Sequence, residues 1–268
     1  MDILEEIIAS KYKEVDERKA QIPVTVLEKS SYFERQTVSL KDHITRADKT
    51  GIIAEIKRKS PSKGVINADV SVGRTAMGYI QAGASALSVL TDFTYFGGSS
   101  HDLIAARKVS ACPILRKDFT VDEYQIVEAK SIGADAILLI AAALEPARLK
   151  QLAIFAHTLS LEVLLEVHNR EELEANLDAP ADLIGVNNRN LKTFVTDVNL
   201  SEQLAPFIPN EYLKVSESGI ENPHTIIKLK KQGYQGFLMG QNFMQHSRPE
   251  QACQEFIGTL RKLEQEAL

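Results

Sequence analysis

The chain has 268 residues, of which 44% are hydrophobic and 25% charged, the balance of a globular protein with one large domain or two ordinary ones. A net charge of −5 excludes a general nucleic-acid surface, which needs a basic face, although the local basic cluster around residues 57–63 suits a small anionic ligand. Two cysteines (Cys112 and Cys253) without CxxC spacing predict unpaired structural thiols in a reducing cytosol, and six histidines without HxxxH spacing give zinc no support.

Residues 2–19 predict a helix with Ile3, Leu4, Ile7, Ile8, Tyr12 and Val15 on one apolar stripe and Glu, Lys and Arg opposite. Its acidic start lacks the basic segment and apolar core of a signal peptide. Pro23 ends it, and weaker helical patterns follow over residues 24–35 and 40–47. Residues 1–47 thus read as a helical extension laid against the domain that follows, residues 48–268.

From residue 51 the pattern alternates. Apolar runs near 51–57, 85–90, 113–117, 135–140, 162–167, 182–187, 212–217 and 236–240 are separated by stretches of helical period. Near-continuous apolar runs between helices mark parallel strands buried on both faces. The longest apolar run, residues 136–144, falls far short of the roughly 20 residues that cross a bilayer, so a cytoplasmic protein without a membrane partner is expected. Gly83, Gly133 and Gly233 each close a helix before a strand, at multiples of fifty residues, or about 25 per unit. Eight such units fit a (β/α)8 TIM barrel of the α/β class; a doubly wound sheet makes the same alternation and is the competing architecture. No second array follows before Leu268, so a fused neighbouring enzyme is not expected.

In a barrel of this kind the active site lies at the C-terminal strand ends. The first strand carries Glu55 and Lys57 two apart, hence on one face, in an otherwise apolar run. Opposite charges there cost several kcal/mol per ion to desolvate, about what their attraction returns, which points to function rather than stability. The other strands end in Lys117, Glu166, Asn187 with Arg189, Glu217 with Ser218 and Gly219, and Gly240 with Gln241. Two lysines, three carboxylates and an asparagine would meet at one mouth. The backbone at Ser218-Gly219 and Gly240-Gln241 follows the seventh and eighth strands, where such barrels commonly hold phosphate.

These residues resemble the indole-3-glycerol phosphate synthase family. The resemblance rests on Ile53-Ala54-Glu55-Ile56-Lys57-Arg58-Lys59-Ser60-Pro61-Ser62, Leu115-Arg116-Lys117-Asp118-Phe119, Glu166-Val167-His168, Asn187-Asn188-Arg189 and Ser216-Glu217-Ser218-Gly219. It implies conversion of 1-(2-carboxyphenylamino)-1-deoxyribulose 5-phosphate to indole-3-glycerol phosphate with loss of carbon dioxide and water, without metal or organic cofactor. It implies Lys117 as general acid, Lys57 on the substrate carboxylate, and Glu55 and Glu166 as the dehydration carboxylates. Asn187, Arg189, Glu217 and Ser218 would orient the substrate. Ser60, Gly219 and Gly240 would lie beside the phosphate and carboxylate, Phe96, Phe119 and Leu138 would wall the anthranilate ring, and the extension would partly cover the mouth. The partner is a small phosphorylated molecule, and the chain is expected to be a monomer or weak homo-oligomer.

Gln241 departs from the family, which often has serine or glutamate after this glycine. A backbone phosphate cradle tolerates that, so phosphate affinity should be normal; a Michaelis constant more than about tenfold above that of Gln241→Ser would contradict it. The competing functions are a phosphoribosylanthranilate isomerase-like enzyme, which needs a cysteine where Glu55 and Lys57 stand, and a non-catalytic phosphosugar-binding module, which would have shed Lys57, Lys117 or Glu166.

Overall fold

The computed structural model describes residues 3–266; residue 2, where the predicted first helix begins, lies outside them. Eight parallel strands close into a barrel: β1 (Ile52–Ile56), β2 (Ala86–Leu90), β3 (Ile114–Lys117), β4 (Ala136–Ile140), β5 (Glu162–Val167), β6 (Leu183–Asn187), β7 (Leu213–Glu217) and β8 (Tyr234–Met239). Each strand pairs with its sequence neighbour and β8 returns to β1, with Ile52, Ile53 and Ala54 opposite Phe237, Leu238 and Met239. No helix among the described residues is long and apolar enough to cross a membrane.

The strand parity explains both the core and the site. Ile52, Ala54 and Ile56 face outward into the layer shared with the helices, whereas Ile53 faces the barrel axis with Ala86, Leu115, Ala136, Leu164, Leu183 and Val215. Two residues further along several of these strands, the same inward face carries Glu55, Ser88, Lys117, Glu166 and Glu217. The barrel interior is therefore apolar at its lower end and ionic at the top.

The N-terminal extension divides between the two ends. Helix α1 (Ile3–Gln21) lies over the mouth, with Ile3, Leu4 and Ile7 on the cavity. Its buried residues are Ile7, Lys11 and Val15, while Tyr12, expected on the apolar stripe, is 47% exposed. The stripe runs through Lys11 because three carboxylates meet its ammonium there, which offsets the cost of burying it. The pattern over residues 24–35 yields only the single turn α2 (Val24–Leu27), followed by turns. That segment descends the outside of the barrel, where Ser30 Oγ donates to the Ser131 carbonyl and Arg35 reaches Asp135 at 2.5 Å. Helix α3 (Leu40–Thr45) then closes the opposite end: the Leu40 and Lys41 amides donate to Glu162 at the start of β5, and Leu40 and Ile44 join the inner apolar cluster.

The outer helices follow in order: α4 (Val72–Ala82), α5 (Ser100–Lys108), α6 (Glu123–Ile132), α7 (Pro146–Thr158), α8 (Arg170–Asn176), α9 (Asn199–Leu204), α10 (Pro223–Lys230), α11 (Gln241–Met244) and α12 (Pro249–Glu266). Several starts carry side-chain caps, as at Ser99 and Asn169, and Asp122 forms a reciprocal capping box with Gln125. Gly83 and Gly133 take the left-handed conformation at the ends of α4 and α6, the role the spacing assigned them.

Candidate active site

A cavity of about 690 Å³ opens at the C-terminal strand ends, a volume suited to a drug-sized ligand. All fifteen residues singled out from the sequence line it: Glu55, Lys57, Ser60, Phe96, Lys117, Phe119, Leu138, Glu166, Asn187, Arg189, Glu217, Ser218, Gly219, Gly240 and Gln241.

At its floor the Lys117 ammonium lies 2.9 Å from Glu166 Oε2 and 3.3 Å from Glu217 Oε2. Burial opposes charging this amine, but Glu166, Glu217 and Glu55 outweigh it and raise its pKa well above the usual lysine range. The amine is therefore held in its charged form. Beside it, Lys57 Nζ sits 2.7 Å from Glu55 Oε1, the pair that the spacing of two predicted. Burial disfavours the Glu55 carboxylate, yet Lys57 and Lys117 hold its pKa below the ordinary value.

The other two carboxylates are pushed apart. Burial acts against ionised Glu166, but Lys117 and His168 depress its pKa, and Asn187 Nδ2 donates to its Oε1 at 3.1 Å. Glu217, buried and close to Glu166 and Glu55, is raised to about 7 despite Lys117. Its Oε1 has no hydrogen-bond partner among the described residues, as suits a carboxyl that takes up a proton or a substrate group. Two carboxyls sharing one ammonium thus differ in protonation at neutral pH, the separation that acid–base chemistry uses.

The close packing of these groups needs glycines. A Cβ on Gly185 would fall 2.2 Å from Glu217 Oε1, and one on Gly240 would fall 2.5 Å from Glu55 Oε1. Gly240 has φ of −124° and ψ of −65°, outside the helical and extended regions, so Gly240→Ala adds a backbone cost to the clash with Glu55. It should displace Glu55 from Lys57 and lower kcat about 10²-fold without preventing folding. Wild-type turnover in that variant would show that the Glu55 position is not critical.

At the far side of the cavity, Ser218 and Gly219 have φ of 68° and 74°, which turns successive backbone amides of the β7 loop. The Arg189 guanidinium bridges Ser62 Oγ at 3.3 Å and Gln241 Oε1 at 3.2 Å, so Gln241 holds this arginine in place. The opposite wall is apolar, with the Phe96 and Phe119 rings 6.0 Å apart near Leu138.

Some participants were not visible as such in the sequence. His168 lies 3.3 Å from Glu166 and 3.2 Å from Glu172, which raise its pKa to about 9 against the opposing effect of burial. Asp92 and Asp118, just beyond β2 and β3, are buried against Lys11. Asp92 comes after Thr91 and Asp118 after Lys117, so neither directly follows an apolar run, the signal that marked Lys117 and Glu166.

The sequence model of the family described as indole-3-glycerol phosphate synthase matches residues 4–256. The chain belongs to that family. A relative of that name from Bacteroides thetaiotaomicron is 47% identical over 256 residues, covering 96% of this chain and 98% of its own. Relatives of the same name from Campylobacter fetus and Laribacter hongkongensis are 44% and 43% identical, with 96% and 92% of this chain covered and 99% and 96% of theirs. Membership of the indole-3-glycerol phosphate synthase family sets aside the isomerase alternative. Cys112 and Cys253 are buried in the outer apolar layer, away from the cavity.

Proposed function

We propose that the cavity performs the family's ring closure, from 1-(2-carboxyphenylamino)-1-deoxyribulose 5-phosphate to indole-3-glycerol phosphate, carbon dioxide and water. The observation that carries this reading is the buried Lys117 ammonium held between Glu166 and Glu217, facing the Lys57–Glu55 pair across one cavity.

The substrate phosphate goes to the Ser218–Gly219 and Gly240–Gln241 backbone beside Arg189, and its carboxylate to Lys57. The anthranilate ring lies against Phe96, Phe119 and Leu138. The ring carbon bearing the carboxylate attacks the ketone carbon, and Lys117 delivers a proton to the ketone oxygen as the carbon–carbon bond forms. Loss of carbon dioxide returns the electron pair to the ring system. Glu166 and Glu55, both ionised at the outset, then serve the dehydration, one taking the proton from carbon and the other passing to the departing hydroxyl a proton relayed from Glu217 through Lys117. Glu217, neutral below pH 7, can restore the Lys117 proton. Holding both ends of a flexible substrate supplies a further part of the acceleration.

The chain contains no tryptophan, so indole formation can be followed by fluorescence against tyrosine alone. Addition of the carboxyphenylamino sugar phosphate should produce indole emission. Binding without emission would favour the non-catalytic module.

Glu217 gives the site a pH dependence. With its pKa at about 7, raising the pH through that value adds a negative charge to a cavity that must accept a phosphate and a carboxylate. The value of kcat/KM, which reports groups of the free enzyme, should fall as pH rises through about 7 in the wild type and lose that limb in Glu217→Gln. A limb unchanged by the substitution would place the titration elsewhere. The same group shapes stability: its contribution is complete below the ordinary value of 4.5 and declines as pH rises to about 7.

A further inference from the structure

Lys11 is 2% exposed on the buried face of α1 and contacts three carboxylates: Glu14 Oε2 at 2.7 Å, Asp92 Oδ2 at 2.8 Å and Asp118 Oδ1 at 3.0 Å. The two aspartates carry the bases of the loops that hold the aromatic wall. Asp92 gives Oδ2 to Lys11, while its Oδ1 accepts from the amides of Tyr95 at 2.7 Å and Phe96 at 3.2 Å. Asp118 Oδ1 faces Lys11 and accepts from the Phe119 amide at 2.8 Å, while its Oδ2 takes the Thr91 hydroxyl and Arg116. One ammonium on the N-terminal helix thus holds both carboxylates from which the Phe96 and Phe119 backbones hang.

A cluster of this kind is a poor way to gain stability. Desolvating the ions costs about as much as their attraction returns, and apolar replacements of similar volume are often neutral or better. Its return is geometric, because the cluster fixes two separate loops to one point. Docking of α1 does not depend on it alone, since Arg18 pairs with Glu128 at 2.6 Å and Lys19 with Asp122 at 2.7 Å.

We propose that Lys11 is a positioning residue that sets the Phe96–Phe119 wall through Asp92 and Asp118, so that the N-terminal helix tunes affinity for the aromatic end of the ligand. The proposal rests on the aromatic-wall assignment under Proposed function. It separates the two ends of the cavity: loss of Lys11 loosens the ring site and leaves the phosphate end, built on the β7 and β8 loops, as it was.

The test compares wild type, Lys11→Met and Lys11→Arg. The readouts are KM and kcat for the sugar-phosphate substrate, the dissociation constant of indole-3-glycerol phosphate by its fluorescence, and that of inorganic phosphate by competition. Lys11→Met should raise KM and the product dissociation constant by up to about tenfold, the size expected from disturbing an aromatic contact pair. Its kcat should stay within about threefold, with phosphate affinity unchanged and most of the loss restored in Lys11→Arg. A lower melting temperature with KM and product affinity within about twofold would reduce Lys11 to a structural bolt and overturn the proposal. Equal weakening of phosphate and product would also overturn it. Should Lys11→Met fail to fold, Asp92→Asn keeps the amide acceptor and removes the charge, and unchanged affinities in that variant would equally sink the positioning role. A wild type without turnover refutes the parent reading, and this inference with it.

Discussion

Lys117→Ala should lose about 10²–10⁴-fold in kcat, the usual worth of a positioned general acid, while binding of product changes little. The variant removes a cation that touches both Glu166 and Glu217. Stranding buried carboxylates commonly costs about 3–5 kcal/mol, but here protonation offers relief, because Glu217 already titrates near 7. Without the ammonium the pKa values of both carboxyls rise. Stability should then fall as pH rises through those values, giving a melting temperature lower at about pH 8 than at about pH 6. Indole fluorescence measures the rate and thermal melts at the two pH values measure the linkage. Retention of more than about a tenth of the rate would remove Lys117 from the acid role.

Glu166→Gln is the second large effect. The amide preserves shape but offers one acceptor to two donors, Asn187 and Lys117, so the fold should hold while the Lys117 ammonium is left to Glu217. What disappears is the anion that Lys117 and His168 keep ionised, and with it one of the two groups of the dehydration. A fall of about 10²–10³-fold in turnover is expected. Carbon dioxide release should exceed indole formation in the first turnover, because ring closure depends on Lys117 and dehydration on the lost carboxylate. Glu217, still in contact with Lys117 and relieved of repulsion from Glu166, should titrate below 7 and shift the pH limb downward. Equal slowing of decarboxylation and indole formation would assign Glu166 to the first step.

Much of this arrangement was legible because strands keep a strict period of two. Glu55 and Lys57 had to share a face, and the inward parity of Ile53 fixes that face as the barrel interior. Charges after apolar runs located the strand ends that build the cavity. Helical pattern was less informative. The stripe through Tyr12 looked apolar, but the structure buries Lys11, because two of its partners lie in loops far along the chain, Asp92 and Asp118. Nothing within one helix signals carboxylates brought up by another element. Residues 24–35 carry helical spacing yet form mostly turns, since they must run down the barrel wall and hand Arg35 to Asp135. That α3 closes the lower end was also hidden, because its apolar pair, Leu40 and Ile44, would suit either end of the barrel.

The roles assigned to the two lysines are tested most directly by a crystal structure with an unreactive substrate analogue whose ketone is reduced to an alcohol. Lys117 Nζ should lie within hydrogen-bonding distance of that hydroxyl oxygen, with Lys57 Nζ on the benzoate carboxylate and the phosphate against Gly219 and Gly240. A benzoate carboxylate seated on Lys117, with the hydroxyl directed away from both lysines, would contradict those roles.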